Sequence, residues 1–337
     1  MLRFCLRRLF QALPTLIGVS LIAFLLIRLI PGDPVMLMLG ERGGSPEAVA
    51  DMRHNLGLDQ PLWVQYFKFV GAAARGDLGV SIVSKRGVGA EFADRFPATL
   101  ELSVVALLWA VLLGIPLGVV AAIKRGRWPD YALMSVSLTG YSMPIFWWGL
   151  VLIMVFSVQL GWTPVSGRMT AQFDVEPWSG FMLIDPLWRG LGWPGFKAAV
   201  AHMILPALVL GTIPFAAIAR MTRSSLLEVL REDYVRTAKA KGLSFYRIVF
   251  VHALKNALLP VVTVIGLMLG TLLTGAVLTE TLFSWPGVGR WLVASVLARD
   301  YPVLQGGVLL LSLLIILVNV GIDVFYMILN PRLRNMD

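Results

Sequence analysis

Long apolar runs separated by shorter polar stretches dominate this chain of 337 residues. Six runs are long enough to cross a hydrocarbon core of about 30 Å, which takes roughly 20 helical residues. They cover approximately residues 9–30, 102–123, 132–158, 198–219, 257–279 and 302–322. Those from residue 102 onward contain no Asp, Glu, Lys or Arg; the first carries only Arg28, near its end, where a long side chain snorkels to the interface. A membrane barrel would show short alternating segments instead. The pattern therefore predicts an all-α polytopic membrane protein with six transmembrane helices. Arg3, Arg7 and Arg8 precede the first run as they would in a signal peptide. Its apolar core exceeds the roughly 7–15 residues of a secretory segment and no small-residue cleavage site follows, so it reads as a retained helix.

The polar segments set the orientation. Residues 1–8, 124–130, 220–258 and 331–337 hold 16 Lys and Arg in 61 positions, whereas 31–97, 161–200 and 280–302 hold 12 in 130. The denser set is expected in the cytoplasm, which places both termini inside. Trp147, Trp148, Trp162, Trp178, Trp188, Trp193, Trp285 and Trp291 gather toward the other face, as an interfacial aromatic belt would. The net charge of +9 is thus a topology signal and not a sign of nucleic-acid binding. Cys5, the single cysteine, excludes an intramolecular disulfide. His54, His202 and His252 fall in three compartments and read as satisfied or solvated groups, not as a metal site.

Between the first two spans, residues 31–97 read as a folded external segment. Ser45-Pro46-Glu47 opens one helix that Gly57 stops, 61–70 forms a second helix with its aromatics toward the interface, and Gly76-Asp77-Leu78-Gly79 turns the chain. Residues 161–200 are Pro- and Gly-rich loop. Trp285-Pro286-Gly287 forms a turn before a short apolar helix beginning near Val288. Pro116, Pro144, Pro206 and Pro214 interrupt predicted spans. Gly114/Gly118 and Gly266/Gly270 have the small-residue spacing that lets helices approach closely. Thr263, Thr271 and Thr274 lie on or beside the stripe of the second pair. Tight packing and a polar wall along a substrate path both remain open for them. Glu101 and Asp323 border spans, where both are expected to reach water.

No Walker A sequence, dinucleotide fingerprint or zinc motif occurs. The central portions of the spans lack the ionisable groups that ion-coupled carriers usually place there. Solute movement would then need a separate ATPase, and residues 230–260, carrying Arg231, Arg236, Lys239, Lys241, Arg247 and Lys255, offer the place to attach one.

Arg236-Thr237-Ala238-Lys239-Ala240-Lys241-Gly242 resembles the ATPase-docking loop of ABC importer permeases. Arg236 and Thr237 depart from that family's usual Glu-Ala, while Ala238 and Gly242 agree. The departures, together with His252–Pro260, are similar to the peptide and nickel subfamily. So are Pro31–Pro34, Gly76–Gly79, Pro97–Leu102 and Thr279–Gly287. Thr139–Gly149 and Met221–Glu228 are similar to the first permease subunit of Gram-negative dipeptide importers.

The resemblance implies a type I importer bundle in the bacterial inner membrane. Its partners would be a homologous second permease, two cytoplasmic ABC ATPase subunits that use ATP and Mg, and a periplasmic peptide-binding protein; the chain itself would hold no cofactor. It implies four regions: 1–30 with the first helix, a periplasmic 31–97, a core over 98–329 with its docking loop at 220–258, and a cytoplasmic tail at 330–337. Ala238 and Gly242 would fill the matched docking positions. A small side chain at Ala238 would permit close packing, and Gly242 would take a positive φ at a helix end. Arg236, Lys239 and Lys241 join them on charge alone. The cargo would be dipeptides or short peptides, with nickel chelates, haem or longer oligopeptides as alternatives. An ion-coupled secondary carrier is the rival from another class, and a membrane-embedded scaffold or enzyme a remoter one.

Overall fold

The computed structural model describes residues 2–29, 35, 45–55, 58–173, 178–188 and 190–329, and every regular element of any length among them is helical. In chain order these are α1 (Leu2–Leu29), α2 (Pro46–Asn55), α3 (Leu62–Ala73), α4 (Val88–Ile123), α5 (Trp128–Ser142), α6 (Ile145–Gln159), α7 (Asp185–Trp188), α8 (Gly192–Val229), α9 (Asp233–Ala240), α10 (Phe245–Leu282), α11 (Val288–Leu297) and α12 (Tyr301–Leu329). Among the described residues, α4, α8, α10 and the Tyr301–Val324 part of α12 are long and apolar enough to cross a membrane. α5 and α6 add a fifth span if the bent pair counts as one. The first predicted span falls on α1, within which Phe10–Leu25 is an apolar helical stretch among the described residues. Its expected end at residue 30, the Pro31–Pro34 turn and the Gly57 stop lie outside the described residues.

The third predicted span is not one straight helix. α5 and α6 meet at 109°. Met143 takes an extended conformation (φ −78°, ψ 133°) before Pro144, which cannot donate to the preceding turn. Pro116, Pro206 and Pro214 sit inside continuous helices.

The chain divides into two compact units, Met1–Phe96 with Val288–Asp337 and Pro97–Gly287. In the first, α1 packs along α12. The Tyr66 ring of α3 meets Phe24 of α1 edge-on at 5.4 Å, and its hydroxyl lies 2.9 Å from Ser20 Oγ. Phe92, Val288, Trp291 and Val303 form a core there. The expected turn is present, with Gly76 and Gly79 both at positive φ. A buried Asp300 carboxylate accepts from Ser81 Oγ (2.5 Å) and from the N–H groups of Ile82 and Val83.

In the second unit α8 is the central post. Its apolar window is 67% buried, against 33% for α4 and 22% for α10. Gly114 and Gly118 of α4 let that helix close onto it. A Cβ on Gly118 would stand 2.6 Å from the Ala219 carbonyl oxygen and 2.7 Å from Thr222 Cβ, so this predicted small-residue pair does pack tightly. On the α5 side a Cβ on Gly140 would lie 2.8 Å from Thr212 Cγ2. Trp148 Nε1 donates to the same threonine's hydroxyl at 3.2 Å.

Three expectations about polar and aromatic groups are corrected. Trp285 and Trp291 do not belong to an exposed belt. Both are buried, with their indole N–H groups donating to Ala98 O (2.9 Å) and Glu91 Oε2 (2.7 Å). Trp147, Trp162, Trp178, Trp188 and Trp193 are exposed, as an aromatic belt needs. Glu101 does not reach water: it is buried, paired with Arg168, and accepts the N–H of Leu183 at 2.7 Å. The Arg168 guanidinium also lies 5.6 Å above the Trp285 ring and donates to Gly180 O at 2.7 Å.

Candidate functional site

The basic segment after α8 folds into a helix–turn–helix. Glu232 leaves the chain extended, and α9 begins at Asp233, whose negative charge suits the positive end of the helix dipole. Val235 is the buried anchor of this short helix; Arg236 and Lys239 point outward and Ala238 is half-buried. α9 ends at Ala240 with Lys241 as its C-cap, followed by Gly242 at φ +75°. The Gly242 N–H donates to Lys239 O at 3.0 Å and the Leu243 N–H to Ala238 O at 3.3 Å. That pair of bonds is a Schellman closure, which satisfies two of the helix's last carbonyls and needs a residue at ease in the left-handed region. Gly242 thus adopts the expected conformation, and nothing stands within 4 Å of a Cβ placed there.

Ser244 then caps α10, its Oγ accepting the Arg247 N–H at 3.4 Å. The first turns of α10 include a π-helical stretch, Ile248–Ala253, that seats Ile248, Val249 and Ala253 in the core. Val119, Ala122 and Leu226 share the cluster with Val249 and Ala253. Asn256 Nδ2 donates to Tyr234 Oη at 2.9 Å, tying α9 back to α10. The charge pattern did not single out the exposed aromatics Phe245 and Tyr246, the latter 4.5 Å from Phe250 between ring centroids. Their place immediately after the turn was the available signal.

The threonine stripe faces away from the chain's own core. Thr263, Thr271 and Thr274 are exposed together with Leu267 and Leu278, while Val261, Leu272, Leu273 and Ala276 pack inward. The hydroxyls bond back to their own helix, Thr271 Oγ1 to Met268 O at 2.8 Å and Thr274 Oγ1 to Thr271 O at 3.0 Å. Thr263 Oγ1 reaches Leu259 O at 3.3 Å. A Cβ on Gly275 would touch nothing within 4 Å.

Residues 114–335 match the family described as "Binding-protein-dependent transport system inner membrane component", and residues 1–103 match its N-terminal component. The chain belongs to this family. The inner membrane component is 60% identical over 335 residues to the di/tripeptide transport system permease protein DppB of Pseudomonas aeruginosa, covering 99% of each chain. It is 58% identical to the dipeptide transport system permease protein DppB of Escherichia coli K12, again over 99% of both. With the glutathione transport system permease protein GsiC of Escherichia coli O6:H1 it shares 43% over 334 residues, 99% of each.

Proposed function

We propose that this chain is one permease subunit of an ATP-driven importer that carries dipeptides and short peptides across the bacterial inner membrane. Identity of 60% along the full length of a di/tripeptide permease carries this reading. Six spans would cross the bilayer, with α1 and the bent α5–α6 pair counted among them, both termini in the cytoplasm, and residues 31–97 on the periplasmic side. A homologous second permease would cover the outward stripe of α10, so that Thr263, Thr271 and Thr274 line the path between the two chains. A path with few charges suits peptides of varied side chain and leaves tight recognition to the periplasmic binding protein.

Two cytoplasmic ATPase subunits, using ATP and Mg, would seat α9 and its turn, with Arg236, Ala238, Lys239, Lys241 and Gly242 in contact. Half-buried Ala238 and side-chain-free Gly242 allow close approach, and the exposed Arg and Lys residues supply donors. ATP shifts the transporter between inward- and outward-facing states only as far as it binds them with different affinity.

The test uses the assembled complex in proteoliposomes. Gly242→Trp should leave membrane insertion intact and abolish peptide-stimulated ATP hydrolysis; normal stimulation would remove the docking assignment. Wild-type uptake of a dipeptide panel should stop with vanadate and survive a protonophore. The opposite response would point to an ion-coupled carrier.

A further inference from the structure

Behind the docking turn lies an ion pair that neither the turn nor the threonine stripe uses. Asp130, in the first turn of α5, is almost fully buried, and its Oδ1 accepts from Arg223 Nε of α8 at 2.5 Å. Its Oδ2 accepts from Arg223 Nη2 at 2.8 Å and from the Gly126 N–H at 2.9 Å. The guanidinium thus grips the carboxylate with two parallel bonds, the arrangement that fixes direction as well as distance. The third bond draws in the tight basic turn 124–127, where Gly126 has φ +72°.

This pair sits where three segments meet. A groove of about 460 Å³ beside Arg223 is lined by Arg125 together with Glu228, Arg231, Glu232 and Asp233. The turn before α5 and the entry to α9 therefore border the same groove. Farther along, α5 stays against α8 through Gly140 and Thr212, and its bent continuation α6 through Trp148 and Thr212. α5 is thus fastened to α8 at both ends, and the fastening nearer α9 is the Asp130–Arg223 fork.

We infer that Asp130 and Arg223 are positioning residues for transport. They make α5 follow α8, so that displacement of the docking turn reaches the bent α5–α6 pair. Neither touches peptide or nucleotide. A carboxylate and guanidinium held by two bonds transmit a push without changing length, whereas apolar contacts alone let the helices slide. This rests on the docking role proposed above for α9 and Gly242.

The experiment compares wild type, Asp130→Asn and Arg223→Lys in the full complex, measuring peptide uptake and peptide-stimulated ATP hydrolysis on the same proteoliposomes. Asp130→Asn removes the charge; Arg223→Lys keeps it but loses the fork. Both should raise the ATP hydrolysed per peptide imported by about tenfold, within the range of ordinary site-to-site coupling, with hydrolysis itself changed less than about twofold. Uptake and hydrolysis falling together, neither changing, or failure of both variants to assemble would each overturn the inference in favour of a purely structural pair. Gly242→Trp in parallel separates the two ideas: if it hydrolyses ATP normally, the docking assignment is lost whatever the ratio does.

Discussion

Arg168 shows what a single side chain does in an apolar setting. It neutralises Glu101, donates to Gly180 O and lies on Trp285, so three chain segments depend on one guanidinium. Removing one partner of a buried pair leaves an uncompensated charge and costs about 3–5 kcal/mol, whereas replacing both by groups of similar volume is often near neutral. Arg168→Met should therefore lower the thermal unfolding midpoint of the detergent-solubilised protein markedly, and Glu101→Gln/Arg168→Met should recover part of the loss. A double variant no better than the single would show that the guanidinium works through packing alone. Asp185 gives a second test at this scale. Burial raises its carboxyl, but the Ser179 hydroxyl and the N–H groups of Ser179, Gly180 and Trp178 outweigh burial and hold it below the usual aspartate value. Its stabilisation is complete above the unfolded pKa of about 3.9 and fades as pH falls through the lower folded value. Asp185→Asn should destabilise the protein at pH 7 and flatten the acid side of a midpoint-against-pH curve.

Helices meet through glycines of two different kinds. Gly118 faces α8 so closely that even a methyl group collides with backbone, while Gly275 on α10 faces open space. Overpacking of that kind costs about 1–3 kcal/mol, and an unobstructed Gly→Ala in a helix gains up to about 1 kcal/mol. Gly118→Ala should therefore lower the unfolding midpoint of the isolated chain. Gly275→Ala should leave it unchanged or raise it, and should weaken recovery of the second permease by co-purification, since the stripe beside Gly275 is where that subunit is proposed to sit. Equal effects of the two on the isolated chain would contradict the packing described. The same elements show what the sequence could tell. The end of α9 was legible because Gly242 answers a local demand, a left-handed residue closing a helix. Gly114/Gly118 was legible because small residues four apart leave a groove. Pro144 was not distinguishable from Pro206 and Pro214, since whether a proline bends a helix or is absorbed depends on what packs around it. Glu101 looked like a boundary residue, and its burial was hidden because Arg168 lies 67 positions away. Asp130 and Arg223 are 93 apart, and no local periodicity reports such a meeting.

For the whole molecule the physical question is which polar segments face which compartment. On the topology proposed above, the density of Lys and Arg would put α9 and its neighbours in the cytoplasm and residues 31–97 in the periplasm. The two sides can be compared at exposed lysines, Lys239 in α9 and Lys85 in the loop ahead of α4. With Cys5→Ser as background, Lys239→Cys and Lys85→Cys each carry one thiol. Neither substitution removes an apolar contact from a core, so both chains should insert normally. In cells whose outer membrane has been permeabilised and whose inner membrane is intact, a membrane-impermeant maleimide should label Lys85→Cys within minutes. Lys239→Cys should react only after the inner membrane is also opened. Assembly adds a further difference. If ATPase subunits seat on α9, co-expressing them should slow labelling of Lys239→Cys in opened membranes and leave Lys85→Cys unaffected, because a thiol under a docked surface is shielded while one on the opposite face is not. Labelling of Lys239→Cys in sealed cells would place the docking turn on the wrong side of the bilayer for any cytoplasmic ATPase.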